Sequence, residues 1–239
     1  MDVGANTILT GSVFDMLPTL PSDHFHCAVT SPPYWSLRDY GVDGQLGSEA
    51  TPEEYVANMV SVFRELWRVL RDDGNIWINL GDTYQQGRGA RKGVDAKYPD
   101  GRQRRGSAMP NERVSQSLAP KNLVGMPWRV AFALQADGWI LRSAITWHKK
   151  NPMPESANDR PSTSHEYVFL FVKSSRYFYD CIGSQEECSG TAHSRGHGVN
   201  PKAKSIDAGN HKDRPKQNDS FSAACNDLVA RRNMRSVWS

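Results

Sequence analysis

Several things are scarce in this 239-residue chain, and each scarcity narrows what it can be. Four cysteines (Cys27, Cys181, Cys188, Cys225) are too few and too scattered for a disulfide framework, which fits a reducing compartment. No apolar run approaches the ~18 residues of a membrane span. The start, Met1-Asp2-Val3-Gly4, has neither a basic n-region nor an apolar h-region, so no signal peptide is visible and a cytoplasmic protein is expected. Charge of one sign is also lacking overall: the net value is only +3, so any nucleic-acid binding must come from local clusters. No internal repeat is visible.

What is present alternates between strand and helix. His24–Thr30 is a short β-rich run halted by Pro32 and Pro33. Thr51-Pro52-Glu53-Glu54 is a capping box with proline at the first helical position. Tyr55, Met59, Val62, Phe63, Leu66 and Leu70 recur at helical spacing, and Gly74 is expected to end that helix. A buried strand should follow over Asn75–Leu80. A second helix opens at Pro127, carries Val130, Ala131 and Leu134 on one face, and closes at Gly138. Strands over Ile140–Trp147 and Glu166–Lys173 complete an α/β pattern with a largely parallel sheet. In such sheets sites lie beyond the carboxyl ends of the strands, which here means Thr30–Tyr34 and Gly81-Asp82.

Thr30-Ser31-Pro32-Pro33-Tyr34-Trp35 is the stretch that points to chemistry. Two successive prolines donate no backbone hydrogen bonds and hold a stiff, extended turn. The carbonyls remain free to accept. The hydroxyl of Ser31 and a proline carbonyl suit the two protons of a planar group's NH2, and Tyr34 suits stacking on its ring. A proline-rich turn with a packing tyrosine is the plainer reading of the same residues. Cys27 lies inside a strand and not after a proline, so it reads as core packing.

The stretch resembles the catalytic motif of the DNA amino-methyltransferases, Asp/Asn/Ser-Pro-Pro followed by an aromatic residue. Gly11–Pro21, Tyr55–Leu80, Pro127–Trp147, Asn151–Pro154 and His165–Phe171 resemble further segments of that family in order, over roughly residues 7–180. The resemblance implies a Rossmann-like sheet and S-adenosylmethionine as methyl donor, with no metal. It also implies double-stranded DNA as partner, a base flipped out of the duplex, and a restriction–modification setting. Ser31, Pro32, Pro33 and Tyr34 become the catalytic residues, and Thr30 and Ser31 stand nearest the cofactor. Serine in the first motif position favours cytosine N4 over adenine N6, with direct in-line transfer.

The motif order is of the family's β arrangement, in which an Asp-Pro-Phe-x-Gly-x-Gly-type cofactor loop comes last. The chain stops at Arg235–Ser239, where that segment should begin, and Gly81-Asp82 and Gly87-Arg88-Gly89 are no substitute. The expectation is therefore an incomplete sheet with long basic loop insertions. Residues 1–182 form the catalytic part, with a basic loop over 83–120. Residues 183–239 form a polar target-recognition or flexible region leading to a missing cofactor half. A truncated, split or decayed enzyme all fit. So do a second chain supplying that half, self-association, and a non-catalytic DNA-binding remnant. A methyltransferase for RNA or protein amines is a third class, against which the basic loops argue.

Those loops are local. Arg88, Arg91, Lys92, Lys97, Arg102, Arg104 and Arg105 face only Asp95 and Asp100 between Gly87 and Gly106, which reads as a phosphate-contacting arm or as a solvated loop. Arg88, Arg91, Lys92, Arg102, Arg104 and Arg105 are the candidate DNA contacts. A second polar stretch, Ser189–Ser220, sits where target recognition is expected. Cys181, Cys188, His193 and His197 lack the spacing of a zinc finger. His148 and His165 beside strand ends receive no role.

Overall fold

A computed structural model describes residues 6–85, 118–187 and 231–239. Residues 1–178 with 236–239 form one compact unit, and residues 179–235 form a second. The first unit is a five-stranded sheet with two long helices. Its strands are β1 (Phe25–Thr30), β2 (Leu70–Leu80), β3 (Ile140–His148), β4 (His165–Val172) and β7 (Val237–Trp238), in the order β1-β2-β4-β3-β7. β1 runs parallel to β2 and β3 parallel to β7, while β4 is antiparallel to both its neighbours. Four of the five strands thus share one direction, and β4 alone is reversed. Its apolar run cannot be assigned a direction from composition, because fully buried strands of either sense read alike. What reverses it is a direct β3–β4 connection without a crossover helix.

Helix α1 (Val13–Met16) is a single turn capped by the Ser12 hydroxyl. Helix α2 (Pro52–Val69) begins as its sequence requires, with the Thr51 side chain accepting from the Glu54 amide and the Glu54 carboxylate returning to the Thr51 amide. It ends one residue earlier than periodicity implies. Leu70 is extended (ψ 144°) and opens β2, which runs on through Gly74. Gly74 is therefore no helix stop. A Cβ there would lie 2.9 Å from the Arg71 carbonyl and 3.2 Å from that of His26, so glycine lets two backbones approach closely. Helix α3 (Met126–Ala136) follows Gly125, whose φ of 72° is left-handed. Its C-cap, Asp137, takes a bidentate contact from Arg64 of α2.

Both helices turn apolar faces to the same side of the sheet. Tyr55, Met59 and Phe63 of α2 and Val130, Ala131 and Leu134 of α3 pack with Ile76, Ile78 and Leu80 of β2 and Phe169 and Phe171 of β4. The opposite side is less covered: Val29 is 79% exposed and Trp147 44%. Cys27 shares that side with Val29 and is exposed, which corrects its assignment to the core. The strand's alternation puts Ala28 and Thr30 inward and leaves Cys27 and Val29 outward. Among the described residues no strand pairs with the outer edge of β1.

In the second unit β5 (Glu186–Glu187) pairs antiparallel with β6 (Arg231–Arg232), and Glu186 accepts from Arg232 and Arg235.

The core and the cap differ in what they contribute. Phe63→Ala should cost ~3–5 kcal/mol of unfolding free energy, whereas Thr51→Ala should cost ~1 kcal/mol. Urea denaturation of the two variants checks both, and comparable losses would contradict the packing described.

Candidate active site

The end of β1 delivers the Pro-Pro turn to the carboxyl edge of the sheet. Parallel pairing sets Thr30 opposite Ile78, so Ser31 emerges beside Asn79. The hydroxyl of Ser31 donates to the Tyr34 hydroxyl (3.3 Å) and approaches Asn79 Oδ1 (3.5 Å). The Tyr34 hydroxyl donates to Asn79 Oδ1 at 2.7 Å and lies 3.1 Å from Glu166 Oε2. Asn79 Nδ2 donates to the carbonyl of Tyr167 (3.1 Å), which turns Oδ1 toward the tyrosine. Lys149 pairs with Glu166 Oε1. Burial, the largest cause, pushes the Tyr34 phenol up to about 12; the Ser31 hydrogen bond lowers it, and the charge and the hydrogen bond of Glu166 raise it again. The phenol therefore stays protonated at neutral pH.

The ring of Tyr34 lies on the backbone of Gly81. A Cβ at Gly81 would stand 2.5 Å from Tyr34 Cε2 and 2.6 Å from Cδ2. Gly47, in the loop after the motif, also has to be small. Its φ is 86°, a Cβ would meet the Tyr34 carbonyl at 2.8 Å, and its own carbonyl accepts from the Ser36 amide (2.8 Å). Trp35 is buried and donates its indole N–H to the Glu49 carbonyl (3.0 Å), anchoring the far side of the turn.

The two proline carbonyls are not equivalent. That of Pro33 accepts from the Tyr55 hydroxyl of α2 at 2.9 Å. That of Pro32 has no hydrogen-bond partner among the described residues. Ser31 is exposed, and Pro32, Pro33 and Tyr34 are half-buried. The turn thus presents one hydroxyl, one open carbonyl and one aromatic ring at the edge of the sheet.

Asp82 belongs to the scaffold. Its Oδ1 accepts from the Met126 amide (3.0 Å) and the Thr83 amide (2.9 Å), fastening the start of α3 to the end of β2, and burial raises its carboxyl above the ordinary range. Beyond it, Thr83–Gln85 and Lys121–Val124 close on each other. Tyr84 and Leu123 form an antiparallel bridge, flanked by Gln85 N–Asn122 O (2.8 Å), Lys121 N–Gln85 O (2.9 Å) and Val124 N–Thr83 O (2.9 Å). The Arg160 guanidinium covers the Tyr84 ring at 3.8 Å. This stem stands at the same end of the sheet as Ser31.

Arg88, Arg91, Lys92, Arg102, Arg104 and Arg105 lie outside the described residues, as do Cys188, His193 and His197. Thr30 closes β1, paired with Ile78. No glycine-rich strand-to-helix turn occurs among the described residues, and none of their helices is long and apolar enough to cross a membrane.

A family profile described as DNA methylase, of the N6/N4 type, matches residues 25–238. The chain belongs to the DNA methylase family. Type II methyltransferase M.XycI of Xanthomonas campestris pv. cyanopsidis is 47% identical over 77% of this chain and 60% of its own length. M.Cfr9I of Citrobacter freundii is 45% identical over 78% and 61%, and M.SmaI of Serratia marcescens 45% over 76% and 61%. The chain thus spans about three fifths of the length of these Type II methyltransferases. Among solved structures, the PvuII DNA methyltransferase (cytosine-N4-specific) covers 70% of this chain and 48% of its own at 17% identity and a TM-score of 0.45.

The close seat of Tyr34 on Gly81 makes a direct prediction. Gly81→Ala should displace the ring and cost ~1–3 kcal/mol, by the general penalty of forcing extra atoms into a packed site. Tyr34→Ala in the same chain should remove most of that cost. Unfolding free energies of the two single variants and the double variant give the coupling, and strictly additive losses would mean the two residues do not touch.

Proposed function

We propose that this DNA methylase chain carries the amine-accepting side of a site-specific DNA methyltransferase. The methyl group passes from S-adenosylmethionine to an exocyclic amine of double-stranded DNA, cytosine N4 in preference to adenine N6. The observation that carries the reading is the exposed Ser31 hydroxyl next to the open Pro32 carbonyl. Two acceptors side by side match the two protons of an NH2 group. With both protons engaged, the nitrogen lone pair is left to point outward.

An amine paired inside a duplex is out of reach, so the base has to leave the stack. Tyr34, backed by Gly81 on one side of its ring, is suited to receive it by stacking, and its hydroxyl contacts keep the ring from turning. Pro33 belongs to the support, because Tyr55 already occupies its carbonyl. The same holds for Asn79, which faces Ser31.

The acceptor chemistry of Ser31 and Pro32 fits an amine that attacks an alkyl donor. The described residues include no cradle for an adenosine. When bound, S-adenosylmethionine supplies the methyl group as a sulfonium, with Thr30 and Ser31 the nearest candidates for contact. The chain's own part is to hold the amine in near-attack geometry. Residues 183–239 are proposed as the target-recognition region, Arg88, Arg91, Lys92, Arg102, Arg104 and Arg105 as phosphate contacts, and the cytoplasm as the place of action. Serine at position 31 supports N4, and the Type II relatives support the restriction–modification setting.

The outer edge of β1, with which no strand pairs among the described residues, and Val29 at 79% exposure support a second element of the reading. An unpaired strand edge is a template for another strand, from a second chain or from a second copy. Light scattering of the purified chain, alone and with candidate partners, tests it, and a strictly monomeric chain that methylates DNA would remove it.

Incubation of the chain, together with a chain that carries a glycine-rich cofactor loop, with labelled S-adenosylmethionine and duplex DNA, followed by nucleoside mass spectrometry, should yield N4-methylcytosine, whereas the chain alone should bind S-adenosylmethionine weakly or not at all. N6-methyladenine would overturn the choice of base, and no methylated nucleoside would overturn the activity. Tyr34→Ala should reduce transfer strongly, since stacking on a flipped base contributes ~1–3 kcal/mol, while duplex affinity stays within about twofold. Neutralising Arg102, Arg104 and Arg105 together should weaken binding to all sequences alike and reduce the slope of log affinity against log salt by up to about 3. An unchanged slope would mean the insertion does not touch phosphate.

A further inference from the structure

Resting on the methyltransferase reading, we infer that Glu166 is a positioning residue for the transfer, acting through Tyr34 to turn the lone pairs of the Ser31 hydroxyl toward the target amine. The argument is a count of protons around one oxygen. The Tyr34 hydroxyl has a single proton and two acceptors on its inner side, Asn79 Oδ1 at 2.7 Å and Glu166 Oε2 at 3.1 Å. Asn79 cannot offer its amide protons there, because Nδ2 is committed to the Tyr167 carbonyl. Glu166 is held as an acceptor by Lys149, an ammonium that only donates. The tyrosine proton is therefore kept on the inner side, and its lone pairs face Ser31.

Ser31 completes the chain by donating to Tyr34 at 3.3 Å. Its own proton is then spent, so the exposed side of its oxygen carries lone pairs alone. That is the polarity an NH2 group needs, and the reverse of what a freely rotating serine would guarantee. A carboxylate at the inner end also polarises the chain toward itself, which favours positive charge developing on the amine during transfer. Glu166 touches neither substrate nor donor in this scheme, and its influence passes through one hydroxyl.

Glu166→Gln is the informative variant. Lys149 takes the amide oxygen, which turns the NH2 group toward Tyr34 and puts a donor where an acceptor stood. Single-turnover methyl transfer to duplex DNA should fall about tenfold or more, as losing a hydrogen bond to a charged group does. DNA affinity should stay within about twofold. In a Tyr34→Phe background the chain is already cut, so Glu166→Gln should add little. A role for Glu166 in the fold alone would instead give the same loss in both backgrounds. The Cζ resonance of Tyr34 in ¹³C-tyrosine-labelled protein should also shift in Glu166→Gln, a readout that needs no catalysis. Transfer at the parental rate, independent effects of the two substitutions, or an unmoved Tyr34 resonance would each overturn the inference and leave the methyltransferase reading standing. No transfer by the unmodified chain in the presence of a chain that carries the glycine-rich cofactor loop would overturn the reading, and this inference with it.

Discussion

β1 lies parallel to β2 with Thr30 opposite Ile78, and that register decides which side chains can meet at the end of the sheet. Strand side chains alternate, so a slip of one residue would carry Asn79 to the helical side and bring Leu80 to where Ser31 emerges. The register is held from both sides. Ala28, Ile76 and Ile78 pack toward α2 and α3, and β2 is pinned to β4 by six paired positions from Asn75–Val172 to Leu80–Tyr167. That antiparallel pairing brings the start of β4, and with it Glu166, to the same edge as the Pro-Pro turn. The polar cluster around Tyr34 is thus assembled by hydrophobic packing elsewhere. Trp35 and Leu80 carry that packing up to the edge itself.

The turn is also braced from below. Tyr55, fully buried in α2, sends its hydroxyl to the Pro33 carbonyl, so the first turns of a helix set the height of the motif above the sheet. Burial, then the charge of Glu49, push the Tyr55 phenol above its usual range, which keeps it a donor. Glycines 47 and 81 complete the seat by leaving room for the backbone and the ring of Tyr34. A rigid turn on a rigid base suits a site where donor and acceptor must be held in line.

Much of this was legible in the residue order. The capping box of α2, the proline start of α3, the strand ends and the place of Ser31–Tyr34 all follow from local chemistry, and local chemistry is what a single sequence displays. The reversal of β4 was not legible, because a continuous apolar run has no direction written in it. Cys27 was misplaced because a strand alternates its side chains, and the residue order does not say which of the two faces the helices cover. Asn79 and Glu166 lie 48 and 135 positions after Ser31, so only the sheet brings them to it. A signal for each existed. Asn75 and Asn79 alternate with apolar residues in a buried strand, and Glu166 opens an apolar run; polar groups so placed require partners. Which partners they find is a matter of topology.

The stem at Thr83–Gln85 and Lys121–Val124 has a consequence for how such a chain can change. Its ends meet through backbone hydrogen bonds and the Arg160–Tyr84 contact, so whatever lies between them is closed off at the base. Closing a longer excursion costs only ~0.6 kcal/mol for each doubling in length. Residues 86–120 can therefore be lengthened, shortened or replaced while the sheet and the Pro-Pro turn stay as they are. Selection can revise the insertion without disturbing the register that sets Ser31 beside Asn79.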